Sequence, residues 1–369
     1  MGRLIYLDNL RSILSVLVVG HHSFLAASGL GRWYCSSAER HDEQIAMAFV
    51  ATILFTSQAF LTGLLFGVAG LLMPRSLAKK GPSGHMVSRL WRLGLPVLLV
   101  GLPTHHLSQW LGHKLSKANV KLSESESASF QLSSGPGVAW FELWLLTFES
   151  IFVVLRGSQP IKIVPQNFSF LKVFCILLAI AIVQYSVEMH LAKPLAEFLP
   201  GWKGLAHHII HTPLYGFCFL CGSLSDSTAL LTMLRVHTKP LSITSGLAIG
   251  LCFLFALGRQ QSQPERAVNP SAVAIGSIMT VLICAGACNG VLQRFNTHHS
   301  AVSILSDVSC LSYAVNMLHP VVVVLLTPLV VELPLGLLVQ CILLWLASSL
   351  ASFAVAALLR SSPYVRRLL

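Results

Sequence analysis

Asp8, Arg11, Ser15, Val18 and His22 follow one another at steps of three and four residues inside an apolar stretch near the N-terminus. On a helix that spacing stacks all five on one stripe, so an imidazole able to exchange a proton is aligned with a charge pair. A rise of about 1.5 Å per residue sets His22 roughly 16 Å along the axis from Arg11. In a hydrocarbon slab about 30 Å thick, Arg11 then lies near the head groups and His22 well inside. Ionisable groups at that depth are costly and face a cavity or the protein interior. His22 suits proton abstraction, with Arg11, Asp8 and Ser15 setting the local field and geometry; the alternative is a satisfied polar packing seam. His21, one residue round the helix, reads as an orienting or structural group.

A second candidate set lies in the segment Met73 to Pro96, MPRSLAKKGPSGHMVSRLWRLGLP. Arg89 and Arg92 are three apart and would project from one helical face at the membrane surface. Two guanidinium forks beside Lys79 and Lys80 suit a ligand with several phosphates; head-group anchoring explains the same residues. Glu142 opens a later apolar run just after Trp140 and Phe141. It reads either as a solvated helix-start carboxylate or as a group that orients a base or meets a hydroxyl substrate. His319 precedes Pro320, where a helix break can place a polar group on a cavity; capping and substrate contact both fit.

Two other sets carry less. His207, His208 and His211 resemble zinc ligands in number, but the adjacent pair points in different directions and no acidic partner is fixed by sequence, so no metal is expected. Cys218 and Cys221 form a CxxC, and Cys284 and Cys288 lie four apart. Neither has a second ligand cluster at metal spacing in the sequence, and both read as small core-filling residues.

The elements that must position these residues are membrane helices. The chain has 369 residues, 54% hydrophobic and only 11% charged, with a mean hydropathy of +0.72, too little polar surface to cover a soluble fold. Apolar runs at roughly 10–30, 46–72, 91–110, 138–155, 168–187, 208–225, 241–258, 271–292, 302–330 and 333–358 predict an all-α, polytopic membrane protein of about ten transmembrane helices. The first run is too long for a secretion signal and lacks a small-residue cleavage site, so it is expected to remain as the first helix. Most of the 25 Lys and Arg fall on the tails and on the alternate loops that share their side, which places both termini in the cytoplasm.

One domain over 1–369 is expected, with a polar, Ser-rich, non-cytoplasmic loop at 111–137. The net charge of +11 is dispersed among apolar segments, which fits membrane lipids and one anionic ligand and argues against nucleic acid.

Read together, RLIYLDNLRSILSVLVVGHH, SRLWRLGLP, VAWF and LSYAVNMLHP resemble, in order, the conserved segments of the membrane-bound acyltransferase-3 family. The resemblance implies transfer of an acyl group, often acetyl, from its coenzyme A thioester to a hydroxyl. It implies that His22 is the essential first-helix histidine, Arg11 its paired arginine, and Arg89 and Arg92 the acyl-coenzyme A contact. Acyl-coenzyme A would be a co-substrate, with no tightly bound cofactor. Gln58 and Ala59 stand where many members carry Ser-Gly. The expected acceptor is a small hydrophobic, natural-product or carbohydrate hydroxyl, in a tailoring step of secondary metabolism on an internal membrane such as the endoplasmic reticulum. A multi-pass transporter without acyl transfer is the competing reading.

Overall fold

In lipid a backbone has no water to bond, so each long apolar run satisfies its own N–H and C=O groups as a helix. The computed structural model describes residues 5–30, 33–34, 43–119, 137–156, 169–192, 209–224, 236–260, 270–297 and 308–362, and no strand occurs among them. The helices are α1 (Ile5–Ser28), α2 (Gln44–Arg89), α3 (Leu102–Asn119), α4 (Trp140–Arg156), α5 (Phe170–Val187), α6 (Thr212–Leu224), α7 (Thr238–Gln260), α8 (Pro270–Thr297), α9 (Ser312–Val331) and α10 (Leu337–Ser361). Two π-helical turns, Leu90–Gly94 and Val97–Gly101, join α2 to α3.

Seven helical runs among the described residues are long and apolar enough to cross a bilayer, and the protein is an integral, multi-pass membrane protein. One run, Gln44–Leu115, has 72 residues, about 108 Å of rise and more than three bilayer thicknesses. It folds back on itself at Gly81, whose φ of 69° and ψ of 171° only glycine holds without strain. Pro82 follows, and lacking an N–H it restarts the helix at no hydrogen-bond cost. The reversal brings His85 Nδ1 to 3.0 Å from Ser76 Oγ and Lys80 Nζ to 2.6 Å from Ser88 Oγ. In a straight helix, residues nine apart would sit about 13 Å apart. The run therefore forms two spans, and with the shorter helices α4 and α6 the described residues hold ten helices, near the expected number of about ten. The expected second and third spans are thus the two arms of one helical hairpin, joined at Gly81 with no longer loop between them.

The buried side chains form one layer where α1, α2, α9 and α10 meet (Val19, Phe24, Val50, Val315, Leu344) and another among α2, α4, α5, α6 and α8 (Phe66, Leu145, Leu177, Tyr215, Phe219). Large apolar residues such as Val154, Leu247 and Leu350 face outward, as lipid requires. Where α2 crosses α6, a Cβ built on Gly70 would strike the Phe219 carbonyl, and one on Gly222 the Gly67 carbonyl. The two backbones touch because both positions are glycine, the small-residue contact by which helices associate in lipid.

Candidate active site

The stripe expected on the first helix lies on α1. Asp8 is half-buried, Arg11 exposed and Ser15 buried, and Ser15 Oγ donates to the Arg11 carbonyl at 3.0 Å. His22, one turn and a half from the end of α1, meets His319 of α9. His22 Nδ1 and His319 Nε2 are 2.8 Å apart, with ring centroids at 4.9 Å and planes 20° apart. Trp33, beyond α1, lies nearly parallel to His22, with centroids 5.0 Å apart and planes at 12°. His21 turns the other way. Ser57 Oγ donates to the Leu54 carbonyl, so it accepts from His21 Nδ1 at 2.7 Å and ties α1 to α2.

Contacts along α9 order the interior from one end to the other. Tyr313 Oη donates to the Leu93 carbonyl at 3.4 Å, Asn316 Nδ2 donates to Glu142 Oε1 at 2.9 Å, the Met317 carbonyl accepts from Thr104 Oγ1 at 3.0 Å, and His319 reaches His22. Below this series, Glu149 of α4 binds Arg89 at 2.7 Å and faces His85 Nε2 at 3.5 Å. Glu149 is seven residues from Glu142, about 10 Å of helix, and His319 is about 4.5 Å beyond Asn316. A file of buried polar groups thus leads from the arginine-rich end of the bundle to His22.

Glu142 is 1% exposed, so it is not the solvated helix-start carboxylate that its position in the sequence allows. It sits deep because the 3-10 turn Gly137–Ala139 before α4 is itself packed inside, against Gly101 and Met317. Its second oxygen, Oε2, has no protein partner among the described residues. A buried carboxyl oxygen of this kind is a ready acceptor for a ligand hydroxyl or amide.

At the arginine-rich end, Arg89 is fixed by Glu149, while Arg92 is exposed on the π-helical turn. Lys79 and Lys80 are exposed beside them. The charge neighbours of Arg11 are Asp8 and Arg89, and that of Tyr6 is Arg75, so the first helix and the hairpin corner meet in one basic patch.

On the opposite side, Tyr34 Oη and His105 Nδ1 are hydrogen-bonded at 2.6 Å, and burial pushes the Tyr34 phenol above its usual range. Gly137 packs on that pair at φ 55°.

Sequence reasoning missed Glu149 and His85. The signals were present: Glu149 is two helix turns from Glu142 on the same face, and His85 is one turn from Arg89. Trp33, Tyr34 and His105 carry no such periodic signal. His207 and His208 lie outside the described residues, as do 120–136 of the Ser-rich loop; His211 Nδ1 lies 3.3 Å from Gln184 Nε2. The two cysteine pairs, separate in sequence, come together. Cys284 Sγ is 3.8 Å from Cys218 Sγ and 3.7 Å from Cys288 Sγ, yet no group among the described residues is arranged to hold a metal ion. Gln58 Nε2 donates to Tyr215 Oη at 3.2 Å, and Ala59 packs with Ala248, Met279 and Ile283.

A family model described as an acyltransferase domain matches residues 4–361. No curated protein and no solved structure matches the chain.

Proposed function

We propose, on the premise that this chain belongs to the acyltransferase-3 family, that it moves an acyl group, acetyl in the first instance, from acyl-coenzyme A to a hydroxyl with His22 as general base. Acyl transfer in a membrane is the activity of the family; the donor, the acceptor and the residue roles are our reading. The observation that carries it is the file of buried polar groups joining the basic patch to His22. The donor's phosphates would rest on Arg89, Arg92, Lys79 and Lys80, with Arg89 held ready by Glu149, and its thioester arm would run along that file to the imidazole. His22 takes the hydroxyl proton as oxygen attacks the thioester carbonyl; the C–S bond breaks and the thiolate collects the proton. Asp8, Arg11 and Ser15 fix the donor end of α1, while Glu142, midway along the file, and His319, beside His22, would meet the substrates.

The excess of basic residues at the donor end supports a cytoplasmic location for that end and for both termini. The strongly apolar chain and the Trp33 ring lying along His22 favour a small hydrophobic or amphipathic alcohol, such as a natural-product intermediate of secondary metabolism, on an internal membrane such as the endoplasmic reticulum; a carbohydrate hydroxyl is the other acceptor class. Transfer of label from acyl-coenzyme A by membranes holding wild type or His22→Ala tests the assignment. A loss of roughly 10²- to 10⁴-fold is expected. Equal rates remove His22 from the chemistry, and uptake of solute without consumption of acyl-coenzyme A would establish transport instead.

A further inference from the structure

His319 stands directly before Pro320 within α9. Proline has no N–H, so the Asn316 carbonyl, four residues back, loses its helical donor. His319 Nδ1 lies 3.1 Å from the Val315 carbonyl, next along the chain from that freed acceptor, and the Asn316 main chain also interacts with the His319 ring. Carbonyl oxygens only accept, so Nδ1 carries the hydrogen. A neutral imidazole protonated there has its lone pair on Nε2. That Nε2 is the atom 2.8 Å from His22 Nδ1, so His22 Nδ1 donates. His22 is then left with its own lone pair on Nε2. A nitrogen separation of 2.8 Å between rings whose centroids are 4.9 Å apart and whose planes differ by 20° means the rings lie nearly edge to edge, with the hydrogen bond close to both planes. His21 cannot substitute for His319, since its Nδ1 is held by Ser57.

We infer that His319, with Pro320 behind it, is the positioning residue that selects the His22 tautomer with a basic Nε2 and holds its Nδ1–H through the transfer. The inference rests on the reading of His22 as base. As the acceptor O–H proton moves to His22 Nε2, the new O–C bond forms and the C–S bond breaks. The imidazolium keeps its Nδ1–H on His319 Nε2, and the Nε2 proton passes to the departing thiolate. The order of hydrogen bonds, from the main chain of α9 through His319 to His22, gives the base a fixed direction.

The test uses the full-length protein in lipid nanodiscs, with four substitutions and two readouts. Nitrogen chemical shifts of labelled histidine report the tautomer of His22; wild type is expected to show a protonated Nδ1 and an unprotonated Nε2. His319→Ala is expected to lower kcat about 10- to 100-fold, the usual cost of losing an orienting partner, with KM for acyl-coenzyme A unchanged and both His22 tautomers populated. His319→Gln keeps an oxygen to accept from His22 and an amide to donate to the carbonyls, and is expected to recover most of the loss. Pro320→Ala returns a main-chain donor to the Asn316 carbonyl and is expected to give an intermediate kcat.

A protonated Nε2 on wild-type His22 would overturn the inference, as would a folded His319→Gln no better than His319→Ala. Unchanged transfer by His22→Ala would overturn the catalytic part together with the reading beneath it. The tautomer spectrum, read without turnover, separates that failure from a failure of His319 alone.

Discussion

At the scale of single residues, the ion pair of Arg89 with Glu149 changes how the basic patch is understood. Glu149 is fully buried and Arg89 partly so. Bringing both from water is costly, and the pair persists because the geometry is short and direct. His85, on the same helix face as Arg89, takes the other carboxyl oxygen side at 3.5 Å. Arg89→Ala leaves a buried carboxylate without its main partner, so it is expected to destabilise the protein by about 3–5 kcal/mol. Arg92→Ala, at an exposed position, is expected to leave stability nearly unchanged and to raise KM for acyl-coenzyme A. Thermal unfolding in detergent beside acyl-transfer kinetics checks both; equal effects of the two substitutions on stability would refute the distinction.

At the scale of elements, α2 does the most to place the site. It supplies Ser57 to His21, Gln58 to Tyr215, and through its hairpin the corner that presents Lys79, Lys80 and Arg89. Its contact with α6 depends on carbonyls that approach glycine directly. Gly222→Ala is expected to force the helices apart and cost about 1–3 kcal/mol, read as a lowered midpoint of thermal unfolding. Gly246→Ala in α7, where an added Cβ meets nothing within 4 Å, is the control and is expected to leave the midpoint unchanged or raised. The reverse order of effects would show that the close crossing is not what holds α2 against α6.

At the scale of the whole molecule, the order of contacts along α9 gives the bundle two distinct ends. Lys80 is exposed at the corner of the basic end, and Glu332 is exposed at the far end of α9. With Cys175 and Cys310 replaced by serine, Lys80→Cys and Glu332→Cys are expected to react with an impermeant maleimide from opposite sides of sealed vesicles, Lys80→Cys from the cytoplasmic side. Labelling of both from one side would overturn the two-ended arrangement; labelling of Lys80→Cys from the non-cytoplasmic side would invert the proposed orientation. Labelling in that sense would agree with the proposed entry of the donor from the cytoplasm, toward the level where Trp33 lies along the His22 ring.

The sequence by itself determined what depends on local spacing and composition. Apolar runs longer than a bilayer is thick must be helices, so the all-α membrane fold was legible, and steps of three and four put Asp8, Arg11, Ser15 and His22 on one stripe whatever the rest of the chain does. The ordered segments resembling known acyltransferases gave the family for the same reason: they are contiguous. Only the tertiary structure decided what joins residues far apart in the chain. Nothing local says that His319 would meet His22 nearly three hundred positions earlier, that Glu149 would hold Arg89, or that two pairs of cysteines would share one place. For Glu142 the sequence left two readings open, since a helix start ordinarily faces water; the inward-packed turn at Gly137–Ala139 buries it and leaves the reading as an interior group. Periodicity fixes which side of a helix a residue occupies, but the depth of that helix and the neighbour facing it are set by packing among the helices, for which no single segment carries the information.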